Sequence, residues 1–519
     1  MAHPAPKRIK NLDDILSSSS QYDAVVLVSA EAHIDGFEPI NRALKKAKQV
    51  DKRIGEQNTF IHCDDVCGGR LIHAATGKLN KDYDDVRNFS DAAKSGVQMA
   101  KEAGAINPAI IVAQVPSGTD YRFALETAYL GACQGLWQPL EARECGKENE
   151  LEPIQSIGLF DPQNKVDIDY LSATEAGRRL ARDLCGTEPE RMAPIGFADY
   201  CVDALSNGAI KINMIADKQQ IEQDFPVFAA VARASYMVPR HHPRIIELEY
   251  QGAGPIKKTL MLVGKAVTYD TGGADIKVGG HMAGMSRDKG GGAAVAGFMK
   301  TLSLLKPKGI KVVAKIAAVR NSVGVDAYVA DEIITGHSGK RIRVGNTDAE
   351  GRLAMVDSLS QFRQQASSEI NPELFTIATL TGHALLAVGP YTILVANGTA
   401  RKQKVEEAIA ESGELWGDPC QISRSRREDW KMIASKTKAD DVLSSNNGSS
   451  VSVPRGHQFP MAFLSLASGL DEHSLSSQNP IAYVHIDIAG SGVEGLDWQH
   501  GKPTASPILA IASTYLRKN

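Results

Sequence analysis

Residues 263–292 read VGKAVTYDTGGADIKVGGHMAGMSRDKGGG. The apolar run KTLMLV at 258–263 leads into this segment, and residues 290–305 after it carry helical apolar spacing. The segment therefore reads as a Gly-rich connection from a buried strand to a helix. In α/β sheets, ligands bind beyond the carboxyl ends of the strands, where this connection stands. Among its charged residues are two lysines, Lys265 and Lys277, and two aspartates, Asp270 and Asp288, that could serve a site. A phosphate loop is excluded. Its first Gly would fall at 259, which is Thr, and Ala266 replaces the Ser or Thr that would hold magnesium. A dinucleotide fingerprint is absent too.

Around this segment, apolar runs at 245–250, 258–263, 309–319, 374–380 and 481–488 predict strands. Helical patterns fall at 290–305, 353–367 and 403–412. Earlier in the chain, strands are predicted at 24–30, 58–63, 108–115 and 154–161, with helices at 39–49, 85–104 and 121–135. Strands alternating with helices imply a mainly parallel sheet with right-handed crossovers. Residues 173–185, ATEAGRRLARDLC, put Ala176, Leu180, Ala181 and Leu184 on one face of a helix. The polar stretch 146–152 and the Ser/Asn-rich stretch 444–455 read as loops. The fold class is thus α/β in two parts. An N-terminal α/β domain spans 1–170, a connector helix 171–188, and a larger domain 189–519.

Composition narrows the function classes. The 519 residues carry 58 Lys plus Arg against 61 Asp plus Glu, a formal net charge of -3. That balance argues against a dedicated nucleic-acid binder. Hydrophobic residues are 43% and charged residues 23%, as in an ordinary globular protein. Seven Cys without framework spacing point to a reducing compartment. The opening residues lack an apolar signal core, and no run reaches the roughly 20 apolar residues of a membrane helix. A cytoplasmic protein is expected, so the sequons at Asn88, Asn397 and Asn447 carry no functional meaning.

A second cluster, NTDAEGRL at 346–353, follows a predicted strand at 341–344 and presents Asp348, Glu350 and Arg352 at alternate positions. In an extended loop this period puts all three on one side. Two carboxylates beside a fixed cation suit a metal site with an anion-holding Arg. A lone DxE is usually a solvated loop, and a lone Asp before Gly-Gly is usually a turn. Asp270, Asp288, Asp348 and Glu350 beside Lys265, Lys277 and Arg352, in two Gly-rich loops after strands, form a much rarer combination.

These segments together resemble the leucyl aminopeptidase family. NTDAEGRL is joined by VGKxVTYDTGG, the following IK, and MxxMxRD before a Gly-rich helix start. ATLTG at 378–382, ADDVLSSNNG at 439–448 and HIDIAG at 485–490 extend the match. The resemblance runs from about residue 187 to the C-terminus. It implies a smaller N-terminal α/β domain with a macro-like sheet and a larger catalytic domain with a central mixed sheet. It also implies a cytosolic, hexameric, two-metal exopeptidase acting on peptides.

Carried over residue by residue, the resemblance makes Lys265, Asp270, Asp288 and Glu350 ligands of one metal. Asp270, Asp348 and Glu350 are the ligands of the other. Lys277 and Arg352 become the catalytic residues that are not ligands, with a bicarbonate held near Arg352. Met285, Thr379, Leu380, Gly382 and Ala489 match positions around the substrate's first side chain. Zinc is the expected metal, with manganese possible at the looser site. By the same resemblance, a shared water attacks the first peptide carbonyl, which Lys277 helps to polarise. A bulky apolar residue often stands three places after Ala489 in the family. Here it is Gly492, which implies a wider or differently closed pocket.

Two other readings compete. One is a non-catalytic hexameric scaffold or DNA-associated relative. The other is a hydrolase of the same metal type acting on another bond, such as a Cys-Gly dipeptide. Minor candidates have blander readings. Cys63 and Cys67 lack a second pair, so they read as plain thiols. His241 and His242 read as solvated, and Trp416 as a packing residue. His383 reads as a satisfied buried His. Arg287 and Lys289 either repel a metal at Asp288 or face solvent.

Overall fold

The computed structural model describes residues 3–16, 21–446, 448 and 450–517, so the sequon Asn447 and parts of the N-terminal stretch lie outside the described residues. The chain forms two compact units: Met1–Arg179 with Ser412–Pro419, and Leu180–Glu411 with Cys420–Asn519. The helix predicted at 171–188 runs Ile168–Gly186. Among the described residues, no helix is long and apolar enough to cross a membrane.

The first unit is built on six strands: β1 (Ala5–Ile9), β2 (Ala24–Ser29), β3 (Thr59–His62), β4 (Arg70–Ala75), β5 (Pro108–Val112) and β6 (Ser156–Phe160). Their order is β1-β6-β5-β2-β4-β3, and only the β3–β4 pair is antiparallel. Strand β2, AVVLVS, is buried along its whole length, as a central parallel strand must be. The edge strand β1 alternates exposed and buried residues and carries Lys and Arg, so it has no apolar run to announce it. The stretch 146–152 is not a plain loop. A π-type turn, Arg143–Lys147, leads into a helical turn, Glu148–Leu151. Trp416 is buried and stacks on Phe123 with ring centroids 4.5 Å apart. Cys63 and Cys67 are buried and not joined in a disulfide.

The second unit contains β7 (Lys211–Ile215), β8 (Arg244–Gln251), β9 (Lys258–Asp270), β10 (Ile310–Asn321), β11 (Ile333–Thr335), β12 (Arg341–Arg343), β13 (Pro372–Ala378), β14 (Thr392–Ala396), β15 (Cys420–Ile422), β16 (Val442–Leu443) and β17 (Ala482–Asp487). Eight of them form a mixed sheet in the order β15-β14-β17-β13-β9-β10-β8-β7, and β11-β12-β16 form a small separate sheet. The four central strands, β10, β9, β13 and β17, are mutually parallel. Their carboxyl ends therefore lie side by side and deliver Asn321, Asp270, Thr379 and Asp487 to one edge of the sheet. A register irregularity between Val319 and Arg320 falls just before the Asn321–Asp270 pair. Such a bulge re-aims the residues that follow it.

Helices Gly290–Leu305 and Glu350–Ala366 pack on this sheet. The first approaches so closely that a Cβ on Gly291 would lie 2.0 Å from the Ile377 carbonyl oxygen. Only Gly fits there. The core between the sheet and its helices includes Val263, Val267, Leu353, Val356, Leu374 and Ala378.

Candidate metal centre

Lys265 does not lie in a loop after a strand. Strand β9 runs on to Asp270, and Lys265 is inside it, 2% exposed. Its parallel neighbours β10 and β13 supply hydrogen bonds through Gly264, so the Gly-Lys step does not end the strand. Lys265 Nζ lies 2.7 Å from Asp288 Oδ1 and 2.9 Å from Glu350 Oε1, and it donates to the Thr379 carbonyl at 2.9 Å. Gly351 makes room for it, because a Cβ there would stand 2.6 Å from Lys265 Cε.

Asp270 closes strand β9. Its Oδ1 accepts from the Gly272 backbone at 2.9 Å and from Asn321 Nδ2 at 2.8 Å. Its Oδ2 lies 2.9 Å from Lys277 Nζ. Lys277 also reaches Asp348 Oδ1 at 2.5 Å. Asp288 stands just before the helix that begins at Gly290, and Glu350 is the first residue of the helix Glu350–Ala366. The positive end of a helix dipole favours a carboxylate at both places.

The alternation predicted for Asp348, Glu350 and Arg352 does not hold. The helix starts at Glu350, three residues earlier than predicted, so Glu350 and Arg352 point to different sides. Glu350 turns to Lys265. Arg352 turns away, donates from Nη1 to the Ser444 carbonyl at 3.0 Å, and lies over the Phe459 ring at 5.0 Å. Its Nε has no hydrogen-bond partner. Burial lowers its pKa to about 10, so it stays a cation at neutral pH.

Carboxylate oxygens of Asp270, Asp288 and Glu350 converge within 4.8 Å of one another, and all three residues are buried. Asp348 stands outside this group, at the exposed rim. Four carboxylates thus meet only the two ammonium groups of Lys265 and Lys277. Stranding a buried charge costs several kcal/mol, so the shortage must appear as protonation or be met by a cation. The titration tendencies agree. Burial, then the charges of Glu350 and Asp270, push the Asp288 carboxyl well up despite Lys265. Burial and Asp270 raise Asp348 to about 7. Burial also raises Asp270, but Lys277, Lys265 and Asn321 outweigh it and hold that carboxyl low. Burial alone would lower both lysines, yet the surrounding carboxylates raise them. Asp288 Oδ2 is buried without a hydrogen-bond partner. An oxygen-rich, charge-deficient, partly orphaned pocket fits a divalent cation.

The remaining predicted residues surround this centre unevenly. Thr379 is buried and donates to Asp288 Oδ1 at 2.8 Å, so it supports the cluster directly. The Leu380 and Ala489 backbone N–H groups both donate to Asp487 Oδ1 at 3.1 Å, and Thr381 donates to Asp487 Oδ2 at 2.7 Å. Gly382 opens a short helix, Gly382–Val388, and is exposed. Met285 is half-buried in the turn Met285–Arg287. Asp487, Asn321 and Thr347 escaped the sequence reading. They have no metal-ligand spacing, and only their place at adjoining strand and loop ends reveals them.

Three minor readings change. Lys289 does not face solvent; it is fully buried and donates to the Thr187 carbonyl at 2.8 Å. Arg287 donates to the carbonyls of Trp498 and Gln499. His241 is buried rather than solvated, with Nε2 lying 3.2 Å from Glu190 Oε2. His383 meets His457, Nδ1 to Nδ1, at 2.8 Å.

Residues 179–512 match the family model described as the cytosol aminopeptidase family, catalytic domain. A putative aminopeptidase of Caenorhabditis elegans is 40% identical over 482 residues, covering 91% of this chain and 92% of that protein. A probable cytosol aminopeptidase of Helicobacter hepaticus is 33% identical over 390 residues, covering 73% of this chain and 74% of its own length. A solved structure of a tomato leucine aminopeptidase mutant superposes with a TM-score of 0.77 at 19% identity, covering 100% of this chain and 99% of that one. At that identity the structural likeness speaks for the α/β fold alone.

Proposed function

The chain belongs to the cytosol aminopeptidase family, a family of aminopeptidase hydrolases, and from that premise we propose that it is a metal-dependent exopeptidase. In this reading it removes N-terminal amino acids from peptides in the cytoplasm, as a homo-oligomer. One observation carries the metal-dependent part: the convergence of Asp270, Asp288 and Glu350 oxygens in a buried pocket short of positive charge. We assign Lys265, Asp270, Asp288 and Glu350 to one cation, and Asp270, Asp348 and Glu350 to a second. Zinc suits the first. Manganese suits the second, whose ligand Asp348 is exposed.

Divalent ions bound there would supply Lewis acidity, polarising a carbonyl and acidifying water near neutral pH. The other roles fall to the chain's own groups. Lys265 must give up a proton to offer a lone pair, which requires the carboxylates to be neutralised by something other than its ammonium. Lys277 keeps its proton at neutral pH and can donate an N–H to oxygen developing charge on the substrate. Arg352 presents a buried cation with an unpartnered Nε, suited to holding a small acid–base anion such as bicarbonate. Thr379 steadies Asp288 and Lys265 together.

A panel of aminoacyl amides, each paired with its N-acetyl derivative, tests this reading. Free-amine substrates are expected to be cleaved and acetylated ones spared. Equal cleavage of both would overturn exopeptidase action.

A further inference from the structure

Asn321 ends strand β10 and pairs in register with Asp270. It is fully buried. Its Nδ2 donates to Asp270 Oδ1 at 2.8 Å and to the Thr347 carbonyl at 3.1 Å. Thr347 is fully buried too. Its hydroxyl donates to the Gly272 carbonyl at 2.6 Å and accepts from the Asp275 backbone at 2.8 Å. Its own backbone N–H donates to Asp275 Oδ2 at 2.7 Å, and its carbonyl also accepts from the Tyr328 hydroxyl at 2.8 Å.

These bonds join three things that the chemistry needs in register. One is the Asp270 carboxylate. Another is the loop 271–277, whose Lys277 N–H donates to the Thr271 carbonyl at 2.9 Å. The third is Asp348, the residue after Thr347. Asp270 Oδ1 is held by Asn321 and Gly272, which turns Oδ2 toward Lys277. Neither Asn321 nor Thr347 carries a charge, so their influence is geometric. We propose that Asn321 and Thr347 form a positioning unit that fixes the Asp270 carboxylate and keeps the Lys277 and Asp348 loops in register for metal binding. The proposal rests on the reading of Asp270 as a metal ligand. Groups that orient a ligand typically change metal affinity 10–100-fold when removed.

The test is calorimetric titration of the metal-stripped, full-length protein with Mn2+, comparing wild type with Asn321→Ala, Asn321→Leu, Thr347→Val and Thr347→Ser. Circular dichroism at the titration temperature reports whether each variant is folded. Asn321→Ala and Thr347→Val are expected to raise the Kd at least 10-fold while folded. Asn321→Leu, which keeps the approximate shape but has neither the donor nor a charge, is expected to follow them. Thr347→Ser keeps the hydroxyl and is expected within twofold of wild type. A wild-type Kd in the folded Asn321 variants and Thr347→Val would overturn the positioning unit and leave the metal site standing. If Asn321→Ala does not fold, the near-isosteric Asn321→Leu and the Val/Ser pair at 347 decide. No Mn2+ uptake by wild type would overturn the ligand reading itself, and the proposal with it.

Discussion

Lys277 Nζ lies 2.5 Å from Asp348 Oδ1, and this ion pair stands at the rim of a carboxylate cluster whose other members are buried. The same ammonium reaches Asp270 Oδ2 at 2.9 Å. Lys265 does the equivalent for Asp288 and Glu350 deeper inside. Each lysine thus stands between two carboxylates, and the pair still leaves the cluster short of positive charge.

Lys277 is assigned to catalysis and not to metal binding. Lys277→Ala is expected to lower kcat by about 10²–10³, the scale of losing one donor to a developing oxyanion. Metal content by atomic spectrometry should stay at the wild-type level. Loss of metal in this variant would make Lys277 a structural counter-ion instead.

A charge-deficient pocket should be stabilised by what fills it. Thermal unfolding of the metal-free protein is expected to shift upward with added Mn2+ or Zn2+, by about 2.7 kcal/mol at a hundredfold excess over Kd. Asp270→Ala and Glu350→Ala should abolish both the shift and turnover. A metal-induced shift that persists in both variants would place the ion elsewhere.

Two glycines separate packing from chemistry. Gly351→Ala puts a methyl 2.6 Å from Lys265 Cε, the far end of a flexible side chain. It should fold with a loss of about 1–3 kcal/mol yet bind metal poorly, because Lys265 must move. Gly291→Ala meets the Ile377 carbonyl at 2.0 Å, which is backbone and has nowhere to go. It should fail to accumulate as folded protein. Urea unfolding and metal titration of both variants check this. Wild-type metal affinity in Gly351→Ala would contradict the close fit of Lys265.

Buried histidines should make the protein acid-labile. The Ser29 hydroxyl donates to the Glu31 carbonyl, so His73 Nε2–H donates to Ser29 Oγ and leaves Nδ1 bare. Burial lowers its pKa from 6.5 to about 4, and lowers His457 to about 4 and His485 to about 3. A folded pKa below the unfolded one means stability is complete above pH ~6.5 and is lost as pH falls toward ~4. His73 alone would remove about 3 kcal/mol by pH 4. Urea midpoints measured from pH 7 to pH 4 should fall, and His73→Leu should flatten that slope. An unchanged slope in His73→Leu would refute this.

Much of the centre is legible in the sequence, because Asp270, Asp288 and Glu350 sit at strand and helix ends that apolar runs announce. Their local settings are less so. Gly264-Lys265 reads as the start of a loop, yet β10 pairs with strand β9 all the way to Asp270, while the β13 pairing ends at Gly264. The alternating reading of NTDAEGRL failed because the helix begins at Glu350, and a helix turns Arg352 away from Glu350. Asn321, Thr347 and Asp487 matter through long-range hydrogen bonds, which no local pattern encodes. Strand β1 has no pattern to announce it, because a short, half-polar edge strand owes its form to its neighbours.

The most direct test of metal-dependent aminopeptidase action is turnover of a leucyl amide by protein stripped of metal, with removal verified by atomic spectrometry, before and after Mn2+ or Zn2+ is returned. No turnover in the stripped protein, and its recovery on metal return, is the predicted result. Full turnover in the verified metal-free protein would contradict it.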